Sequence, residues 1–360
     1  MQQRQMIPKG TVLHLVPDGF DPKREKGYIS ERAWVVGDVV GMGGSVVCYK
    51  AICGRKNGKL KQFTPENRNF GALLSEGESM ESIFSIEAES FLHPYRIIDT
   101  VRMEKPESQA INNYISPFEI LYGTEEKAET GVYIWLPDDR SGATLKEYIK
   151  NIRSGNCGKG ENSRSEGNIE SEVSRLYKLL DIILKLTEAV MAFHSAGVFN
   201  LDIKPSNILV SFGWEEDPDS SQITLLDFDT VTVMGEEKGT FKVTDGYSAP
   251  ELYAGHGDYR SDIYSIGACM YTAIMSAGDH LETYSKTHYE SEKSDILPDG
   301  SRRFKQMRHL DGGCLIRIVN RIMRRCLEEY PNNRYDSCEE LASDIKKAKY
   351  SMLNELIKDF

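Results

Sequence analysis

Short apolar runs separated by glycine and polar turns fill the N-terminal part of the chain, and their composition predicts β-strands. Valine, isoleucine, tyrosine and tryptophan dominate these runs, and such residues favour strands over helices. The predicted strands are residues 33–36, 39–40, 46–49, 60–63, 114–121 and 132–136. One helix is predicted within this series, because apolar residues recur at helical spacing between residues 82 and 100. Proline and glycine turn signals predict that residues 1–30 are irregular.

After the polar residues 137–142 the pattern changes from strands to helices. The predicted helices are residues 145–152, 176–193, 263–275, 315–329 and 338–349. A segment between the first two, residues 153–171, is rich in glycine, serine, asparagine and charge, and we expect a mobile insertion there. Strands followed by helices predict an α+β fold in two lobes.

Composition narrows the class of protein. With 360 residues the chain is long enough for one two-lobed domain or for two domains. Its 44 basic and 55 acidic residues give a net charge of −11, which argues against a general nucleic-acid or anionic-membrane surface. Seven cysteines without a C-x-x-C pair indicate free thiols in a reducing compartment. The sequence shows neither an apolar signal core nor a run of membrane-spanning length, so we expect a soluble, cytoplasmic protein that binds neither nucleic acid nor membrane.

Four polar residues have the chemistry that phosphoryl transfer needs. Asp202, Lys204 and Asn207 share one loop, and Asp227 follows an apolar strand candidate. Transfer of a phosphoryl group requires a positioned hydroxyl, cations that neutralise charge, and ligands that hold those cations. Asp202 can accept or orient the hydroxyl proton, and Lys204 can contact the phosphate. Asn207 and Asp227 supply the hard oxygen ligands that Mg²⁺ prefers.

A glycine-rich turn lies between two of the predicted strands. Its candidate phosphate-binding residues are Gly41, Gly43, Gly44 and Ser45. Because glycine has no Cβ atom, the backbone N–H groups of such a turn can approach phosphate closely. The turn alone is weak evidence, since a plain hairpin has the same composition. A strand follows it, whereas a helix follows the phosphate loop of Rossmann and Walker-type sites, so the turn resembles the loop that covers ATP in protein kinases.

Further motifs in the same order extend this resemblance over residues 33–346. They are Gly41-Met42-Gly43, Tyr49-Lys50-Ala51, Asp202 to Asn207, Asp227-Phe228, Gly246-Tyr247-Ser248-Ala249-Pro250-Glu251, Ser261 to Gly267, and Pro331-Asn332-Asn333-Arg334-Tyr335. Each motif alone is weak, but together and in this order they are highly specific. The chain resembles the eukaryotic-like serine/threonine protein kinases, particularly the bacterial type.

The resemblance implies a protein-kinase-like fold with a small, β-rich N-lobe and a larger, mostly helical C-lobe. The expected boundaries are a lead-in at residues 1–32, the N-lobe at 33–138, the C-lobe at 139–350 and a tail at 351–360. The close of the sequence soon after the last kinase helix suggests one domain of a longer protein. The oligomeric state stays open.

The resemblance also implies ATP and Mg²⁺ as cofactors, a protein substrate with Ser or Thr, and a role for each residue of the loop. Asp202 matches the catalytic aspartate, Lys204 the lysine that contacts phosphate, and Asn207 and Asp227 the Mg²⁺ ligands. Thr244 sits where such kinases place a threonine near the catalytic aspartate.

Three more residues have structural counterparts in these kinases. Glu251 and Arg334 match a buried ion pair. Asp262 matches an aspartate that ties the catalytic loop to a helix below it.

The lysine that holds the α- and β-phosphates in these kinases is harder to place, because the usual apolar-Ala-apolar-Lys string is absent. Lys50, Lys59 and Lys61 are candidates, and Lys61 is chosen because Leu60-Lys61-Gln62-Phe63 is similar to a string in bacterial kinases. The alternative is a solvated surface lysine. The acidic partner of Lys61 on the following helix would be Glu87 or Glu89, of which Glu87 is preferred.

Three positions depart from the family pattern. Val46 replaces the third loop glycine, Leu201 replaces an arginine, and Asp229 replaces a glycine. The arginine normally receives an activation-loop phosphate, so we expect activity that does not depend strongly on such phosphorylation. None of the three changes removes a residue that the chemistry requires.

Three functions follow from these residues. The first is an ATP- and Mg²⁺-dependent serine/threonine protein kinase. The second is a pseudokinase that binds nucleotide or partners without turnover, which the departures favour and the intact loop residues oppose. The third is a small-molecule kinase, which Asp227-Phe228-Asp229 favours and the segment from Gly246 to Glu251 opposes.

Overall fold

The computed structural model of this chain describes residues 6–19, 32–43, 45–64, 79–104, 111–123, 131–138, 142–153, 172–211, 221–236, 241–277 and 314–358. The chain divides into two compact units. Unit 1 comprises Met1–Arg96 and Ser116–Ser141, and unit 2 comprises Ile97–Ile115 and Gly142–Phe360. The division near residues 141 and 142 falls at the polar segment where the pattern changes from strands to helices.

Unit 1 is built around one antiparallel sheet in the order β1-β3-β4-β5-β7-β6-β2. Its strands are β1 (Val12–Leu13), β2 (Leu15–Pro17), β3 (Trp34–Met42), β4 (Val46–Cys53), β5 (Lys56–Phe63), β6 (Glu119–Gly123) and β7 (Val132–Pro137). The helix α1 (Met80–Glu104) lies between β5 and β6 in sequence and confirms the helix predicted at residues 82–100. Most of the predicted strands are confirmed and are longer than their apolar runs.

The lead-in to the sheet corrects one expectation. Residues 1–30 were expected to be irregular, but the described part contains β1 and β2. Val12 pairs with Val35 at one edge of the sheet, and Leu15 pairs with Gly123 at the other edge. Because His14 alone separates β1 from β2, the lead-in joins the two edges and closes the sheet.

A second correction concerns the strand predicted at residues 114–121. The strand begins only at Glu119, and Ile115 makes an isolated bridge with Leu225. Pro117 explains the late start, because proline has no N–H group to donate to a sheet.

Large apolar side chains fill the interior of the unit 1 sheet. Trp34, Tyr49 and Leu60 are fully buried, and the rings of Trp34 and Trp135 meet edge to face with centroids 6.4 Å apart. Leu15 from the lead-in belongs to the same core cluster. The lead-in therefore also contributes to the packing of unit 1, because it places Leu15 in the buried core of the sheet.

Unit 2 is mostly helical and contains two small antiparallel sheets. Its elements are β8 (Ala143–Thr144), α2 (Leu145–Arg153), α3 (Glu172–Ser195), β9 (Val198–Phe199), β10 (Ile208–Ser211), β11 (Gln222–Leu225), β12 (Thr232–Val233), α4 (Pro250–Tyr253), α5 (Tyr259–Ala277), α6 (Cys314–Cys326) and α7 (Cys338–Lys358). Short 3₁₀ turns occur at Pro205–Asn207 and Pro331–Asn333. The five predicted helices are confirmed. Helix α6 ends at Cys326, before its predicted end at residue 329, and α7 continues past its predicted end at residue 349. The insertion predicted at residues 153–171 lies, apart from Arg153, outside the described residues.

Helix α5 is the buried centre of unit 2. Its residues from Ser261 to Met270 are all buried, so the helix has no solvated face over that stretch. A Cβ atom at Gly267 would lie 2.5 Å from the Cβ of Cys326, which shows how closely α5 packs on α6. This buried helix carries Asp262 in its first turn.

Candidate active site

The loop after β9 holds two residues in an unusual backbone conformation. Asn200 and Asp202 have φ angles of 61° and 44°, and they are the non-glycine residues with positive φ in the described part of the chain. Such a conformation is unfavourable for residues with a Cβ atom and persists where surrounding contacts hold it. The contacts around this loop therefore determine where the Asp202 carboxylate lies.

Asp262, on helix α5, supplies the first of these contacts. Its Oδ2 atom accepts a hydrogen bond of 2.9 Å from the N–H of Asn200, and its Oδ1 atom accepts one of 3.0 Å from the N–H of Leu201. The Nε2 atom of His194 lies 3.0 Å from Oδ2. The predicted contact between Asp262 and the loop that contains Asp202 is confirmed by these distances.

A second set of contacts joins the loop to the segment after Asp227. The side-chain amide of Asn200 donates to the carbonyl of Thr230 at 2.9 Å, and the hydroxyl of Thr230 donates to the carbonyl of Asn200 at 2.6 Å. Pairing of β9 with β12 continues the connection. Sequence reasoning missed Thr230, because no spacing rule links it to Asn200.

The Asp202 carboxylate is surrounded by hydrogen-bond donors. Its Oδ1 atom accepts from the Thr244 hydroxyl at 2.8 Å, and its Oδ2 atom accepts from Lys204 Nζ at 2.6 Å and from Asn207 Nδ2 at 3.0 Å. Lys204 also donates to the Thr244 hydroxyl at 3.2 Å. These donors hold the carboxylate in a fixed orientation. The predicted proximity of Thr244 to Asp202 is confirmed.

Asn207 and Asp227 lie on neighbouring segments that suit a divalent cation. The N–H of Leu226 donates to the carbonyl of Asn207 at 2.9 Å, which places Asp227 beside the end of the catalytic loop. The side-chain N–H₂ of Asn207 donates to the backbone carbonyl and the carboxylate of Asp202, so its remaining polar atom is the amide oxygen Oδ1.

Two oxygen donors on these segments fit Mg²⁺, which keeps several waters and binds substrate phosphates. Among the described residues, no group of three or more His, Cys, Asp or Glu side chains is placed to hold a metal ion.

Burial distinguishes Lys61 from the other candidate lysines of unit 1. Its side chain is only 7% exposed, whereas Lys50 and Lys59 are exposed. Lys61 Nζ donates to the Tyr95 hydroxyl at 3.0 Å. A lysine is rarely buried without a reason, so the alternative of a solvated surface lysine at this position was wrong.

The acidic partner proposed for Lys61 remains a prediction. Glu87 is half-buried on α1, whereas Glu89 is exposed and pairs with Arg96 at 2.7 Å. The preference for Glu87 over Glu89 is consistent with these two environments.

The glycine-rich turn is held by the backbone. The N–H of Gly43 donates to the carbonyl of Val46 at 2.8 Å, and the N–H of Thr64 donates to the carbonyl of Ser45 at 2.8 Å. A Cβ atom at Gly41 or Gly43 would meet its nearest neighbour only at 4.0 Å, so packing within the chain does not require glycine at either position. Gly44 lies outside the described residues.

Glu251 and Arg334 form the predicted buried ion pair. Arg334 Nη1 and Nη2 donate to the two carboxylate oxygens of Glu251 at 2.6 and 2.7 Å. The remaining Arg334 donors bind the backbone carbonyls of Glu328, Glu329 and Arg260. All five N–H groups of this guanidinium are therefore satisfied although the residue is 1% exposed.

The three departures from the family pattern are accommodated without visible strain. Asp229 does not have a positive φ, and its N–H donates to Asp227 Oδ1 at 3.2 Å. Val46 begins β4 and pairs with Phe63. Leu201 is 1% exposed, so the leucine at this position is a buried apolar residue.

No helix among those that the structure describes is both long enough and apolar enough to cross a membrane.

Comparison with known proteins agrees with the resemblance that the motifs show. The family profile described as Protein kinase domain matches residues 157–350. The probable serine/threonine-protein kinase CPE1738 of Clostridium perfringens is 26% identical over 324 residues, covering 86% of this chain and 37% of that protein. The probable serine/threonine-protein kinase CA_C1728 of Clostridium acetobutylicum is 24% identical over 343 residues, covering 91% of this chain and 42% of that protein. This chain therefore spans less than half the length of these two curated relatives.

Among solved structures, the crystal structure of the Mycobacterium tuberculosis PknI kinase domain is similar to this chain at 15% identity, with a TM-score of 0.47. The match covers 95% of this chain and 100% of that one.

Proposed function

This chain belongs to the protein kinase domain family, and from that premise we propose that it is a serine/threonine protein kinase that uses ATP and Mg²⁺. The reaction transfers the γ-phosphoryl group of ATP to a hydroxyl of a protein substrate. The new bond joins the hydroxyl oxygen to phosphorus, and the bond between phosphorus and the β,γ-bridging oxygen breaks. The names of the two clostridial relatives support serine and threonine as the acceptor residues.

The arrangement around Asp202 carries the proposal. Its carboxylate lies 2.6 Å from Lys204 Nζ and 2.8 Å from the Thr244 hydroxyl. An aspartate held in this way accepts the proton of an incoming hydroxyl, while the neighbouring ammonium offsets the charge on the transferred phosphoryl group. Catalysis of this kind depends on positioning and electrostatics rather than on a covalent intermediate.

Two further groups complete the proposed chemistry. Asn207 Oδ1 and the Asp227 carboxylate would hold Mg²⁺, which neutralises charge on the phosphates when it is bound. Lys61 is the proposed contact with the α- and β-phosphates, and Glu87 is its proposed partner. Gly41, Gly43, Gly44 and Ser45 are the proposed loop over the phosphates.

The proposed setting is the cytoplasm. Cys269, Cys326 and Cys338 are buried free thiols, as expected for a protein in a reducing compartment. Leu201 supports activity that does not depend strongly on activation-loop phosphorylation, because a leucine offers no charge to a phosphate.

The test is phosphorylation of a generic basic protein with radiolabelled ATP and Mg²⁺ by the natural chain and by Asp202→Asn. We expect label on the protein with the natural chain and a loss of at least about a hundredfold with the variant, since general-base catalysis contributes about 10²–10⁴-fold. Asp38→Asn is the matched control, because Asp38 is an exposed aspartate paired with Lys9 in unit 1. Equal activity of the natural chain and Asp202→Asn would overturn the assigned role of Asp202.

A further inference from the structure

His194, at the end of α3, makes two contacts that the proposed transfer chemistry does not use directly. Its Nε2 atom lies 3.0 Å from Asp262 Oδ2, and its Nδ1 atom lies 3.6 Å from the sulfur of Cys338. Cys338 is the first residue of α7 and is 1% exposed. The imidazole therefore connects two helix ends to the aspartate that holds the catalytic loop.

The hydrogen bonds that the Asp262 carboxylate accepts determine the role of the imidazole. The carboxylate is 3% exposed and already accepts the N–H groups of Asn200 and Leu201. Because both carboxylate oxygens already act as acceptors, we assign the Nε2 atom of His194 as the donor in its contact with Asp262. In a neutral imidazole the other nitrogen, Nδ1, is then an acceptor that needs a donor of its own.

The thiol of Cys338 is placed to be that donor. Burial is the largest of the influences that raise the pKa of Cys338 well above its usual range, so the sulfur keeps its proton. Besides Asp262 and Cys338, the ring of Tyr259 faces His194, with centroids 5.9 Å apart and an edge-to-face geometry. An S–H group that donates to Nδ1 selects the tautomer in which Nε2 carries the proton.

We propose that Cys338 is a positioning residue for the catalytic loop, which it orients through the tautomer of His194 and the carboxylate of Asp262. The thiol donates to Nδ1, the Nε2–H group donates to Asp262, and the carboxylate stays aimed at the N–H groups of Asn200 and Leu201. The consequence for phosphoryl transfer rests on the proposed function, whereas the tautomer and the loop contacts do not.

The position of the thiol is itself fixed by a helix cap. The Ser337 hydroxyl accepts the N–H of Glu340 at 3.3 Å, and the Glu340 carboxylate accepts the N–H of Asp336 at 3.1 Å. These bonds define where α7 begins and hence which side chain meets His194. Extensive packing of α7 along α3 holds the two helix ends together.

The experiment measures the tautomer and the loop directly in the whole chain. Histidine labelled with ¹⁵N reports the protonation of each ring nitrogen by NMR, and the His194 signals are assigned by their loss in His194→Gln. Hydrogen exchange of the Asn200 and Leu201 amides is followed in the natural chain, Cys338→Ala, Cys338→Ser and Cys326→Ala. Cys326 is the matched control, because it is also a fully buried thiol of unit 2.

We expect the natural chain to show a neutral His194 with its proton on Nε2. Cys338→Ala should produce a mixture of tautomers and accelerate exchange of the two amides about three- to tenfold, which corresponds to weakening one hydrogen bond. Cys338→Ser, which keeps a donor, should restore slow exchange, and Cys326→Ala should leave both readouts unchanged.

Three results would overturn the proposal: an imidazolium or an Nδ1–H tautomer in the natural chain, unchanged exchange in Cys338→Ala, or equal acceleration in Cys326→Ala. If Cys338→Ala does not fold, the proposal is tested by the tautomer of His194 in the natural chain and by the exchange rates of the Asn200 and Leu201 amides in Cys338→Ser. Neither readout uses ATP, so a protein with the expected tautomer but no phosphotransfer would contradict the proposed function and leave the positioning role intact.

Discussion

The hydroxyl of Thr244 donates a hydrogen bond of 2.8 Å to the carboxylate of Asp202, although 42 positions separate the two residues. Thr244 lies just before the turn at Gly246, and its own N–H donates to the Ser248 hydroxyl at 2.7 Å. The Thr244 side chain therefore attaches the segment that ends at Glu251 to the proposed catalytic group. The position of this segment and the orientation of the Asp202 carboxylate therefore depend on each other.

Replacing Thr244 by valine keeps the shape of the side chain and removes the hydroxyl. A hydrogen bond to a charged group contributes about 1.5–3 kcal/mol, so we expect the initial rate of phosphate transfer at saturating ATP to fall about ten- to hundredfold. Thr244→Ser, which retains the hydroxyl, should keep most of the activity. Full activity in Thr244→Val would show that the bond does not orient Asp202.

The Glu251–Arg334 pair predicts a large effect on stability. Removing the charge of Glu251 leaves a guanidinium that is 1% exposed without its carboxylate. We expect Glu251→Gln to lower the free energy of unfolding by about 3–5 kcal/mol, measured by urea denaturation. Loss of one partner of a buried pair leaves an uncompensated charge, which is the physical reason for this cost.

The exposed pair between Lys346 and Glu188 provides the control in the same unit. Its atoms are 2.9 Å apart, and the two side chains are 58% and 32% exposed. Lys346→Gln should therefore cost about 1 kcal/mol or less. Similar losses for the two variants would mean that burial does not decide the strength of these pairs.

Local patterns were enough to predict the elements that depend on nearby residues. Strands β4 and β7 and helices α3 and α5 follow from runs or periods of apolar residues, which report burial directly. The catalytic-loop residues could be predicted because their chemistry lies within a few positions of one another. Lys61 could be chosen from three lysines only by resemblance, and its burial in the structure now gives a physical reason.

Contacts between distant residues were beyond the reach of such patterns. β1 and β2 have two and three residues, too few to show a period, and they form because distant edges of the sheet accept them. The bonds between Asn200 and Thr230 and between His194 and Cys338 likewise join segments that no spacing rule relates. Only the folded chain brings these groups together.

The closed sheet of unit 1 leads to a third prediction. Leu15 is fully buried in the lead-in, so Leu15→Ala should lower the free energy of unfolding by about 2–5 kcal/mol. Urea denaturation followed by the fluorescence of tryptophan measures this, since Trp34 and Trp135 lie in the same core. Val12→Ala is the control, because Val12 is 45% exposed on the same segment and its truncation should cost about 0.5 kcal/mol or less. If the lead-in were not part of the core, Leu15→Ala and Val12→Ala would lower the free energy of unfolding by similar, small amounts.

A capping box at the start of α2 connects stability to pH. Glu147 accepts hydrogen bonds of 2.9 Å from both the N–H and the hydroxyl of Thr144, and its own N–H donates to that hydroxyl at 3.2 Å. The bond from the Thr144 backbone N–H is the largest cause that lowers the pKa of Glu147 below its ordinary value of 4.5, followed by the Thr144 hydroxyl. These bonds favour the ionised carboxylate in the folded state.

The sign of the pH dependence follows from the direction of this shift. A lowered folded-state pKa means that the stabilisation is fully present above pH 4.5 and is lost as the pH falls through the lower, folded-state value. The difference in urea midpoint between the natural chain and Glu147→Gln should therefore be constant at neutral pH and shrink below pH 4.5. Thr144→Ala, which removes the hydroxyl from the box, should cost about 1 kcal/mol at neutral pH. A difference that grows on acidification would contradict the sign, because it would require a carboxylate that is more easily protonated in the folded chain than in the unfolded one.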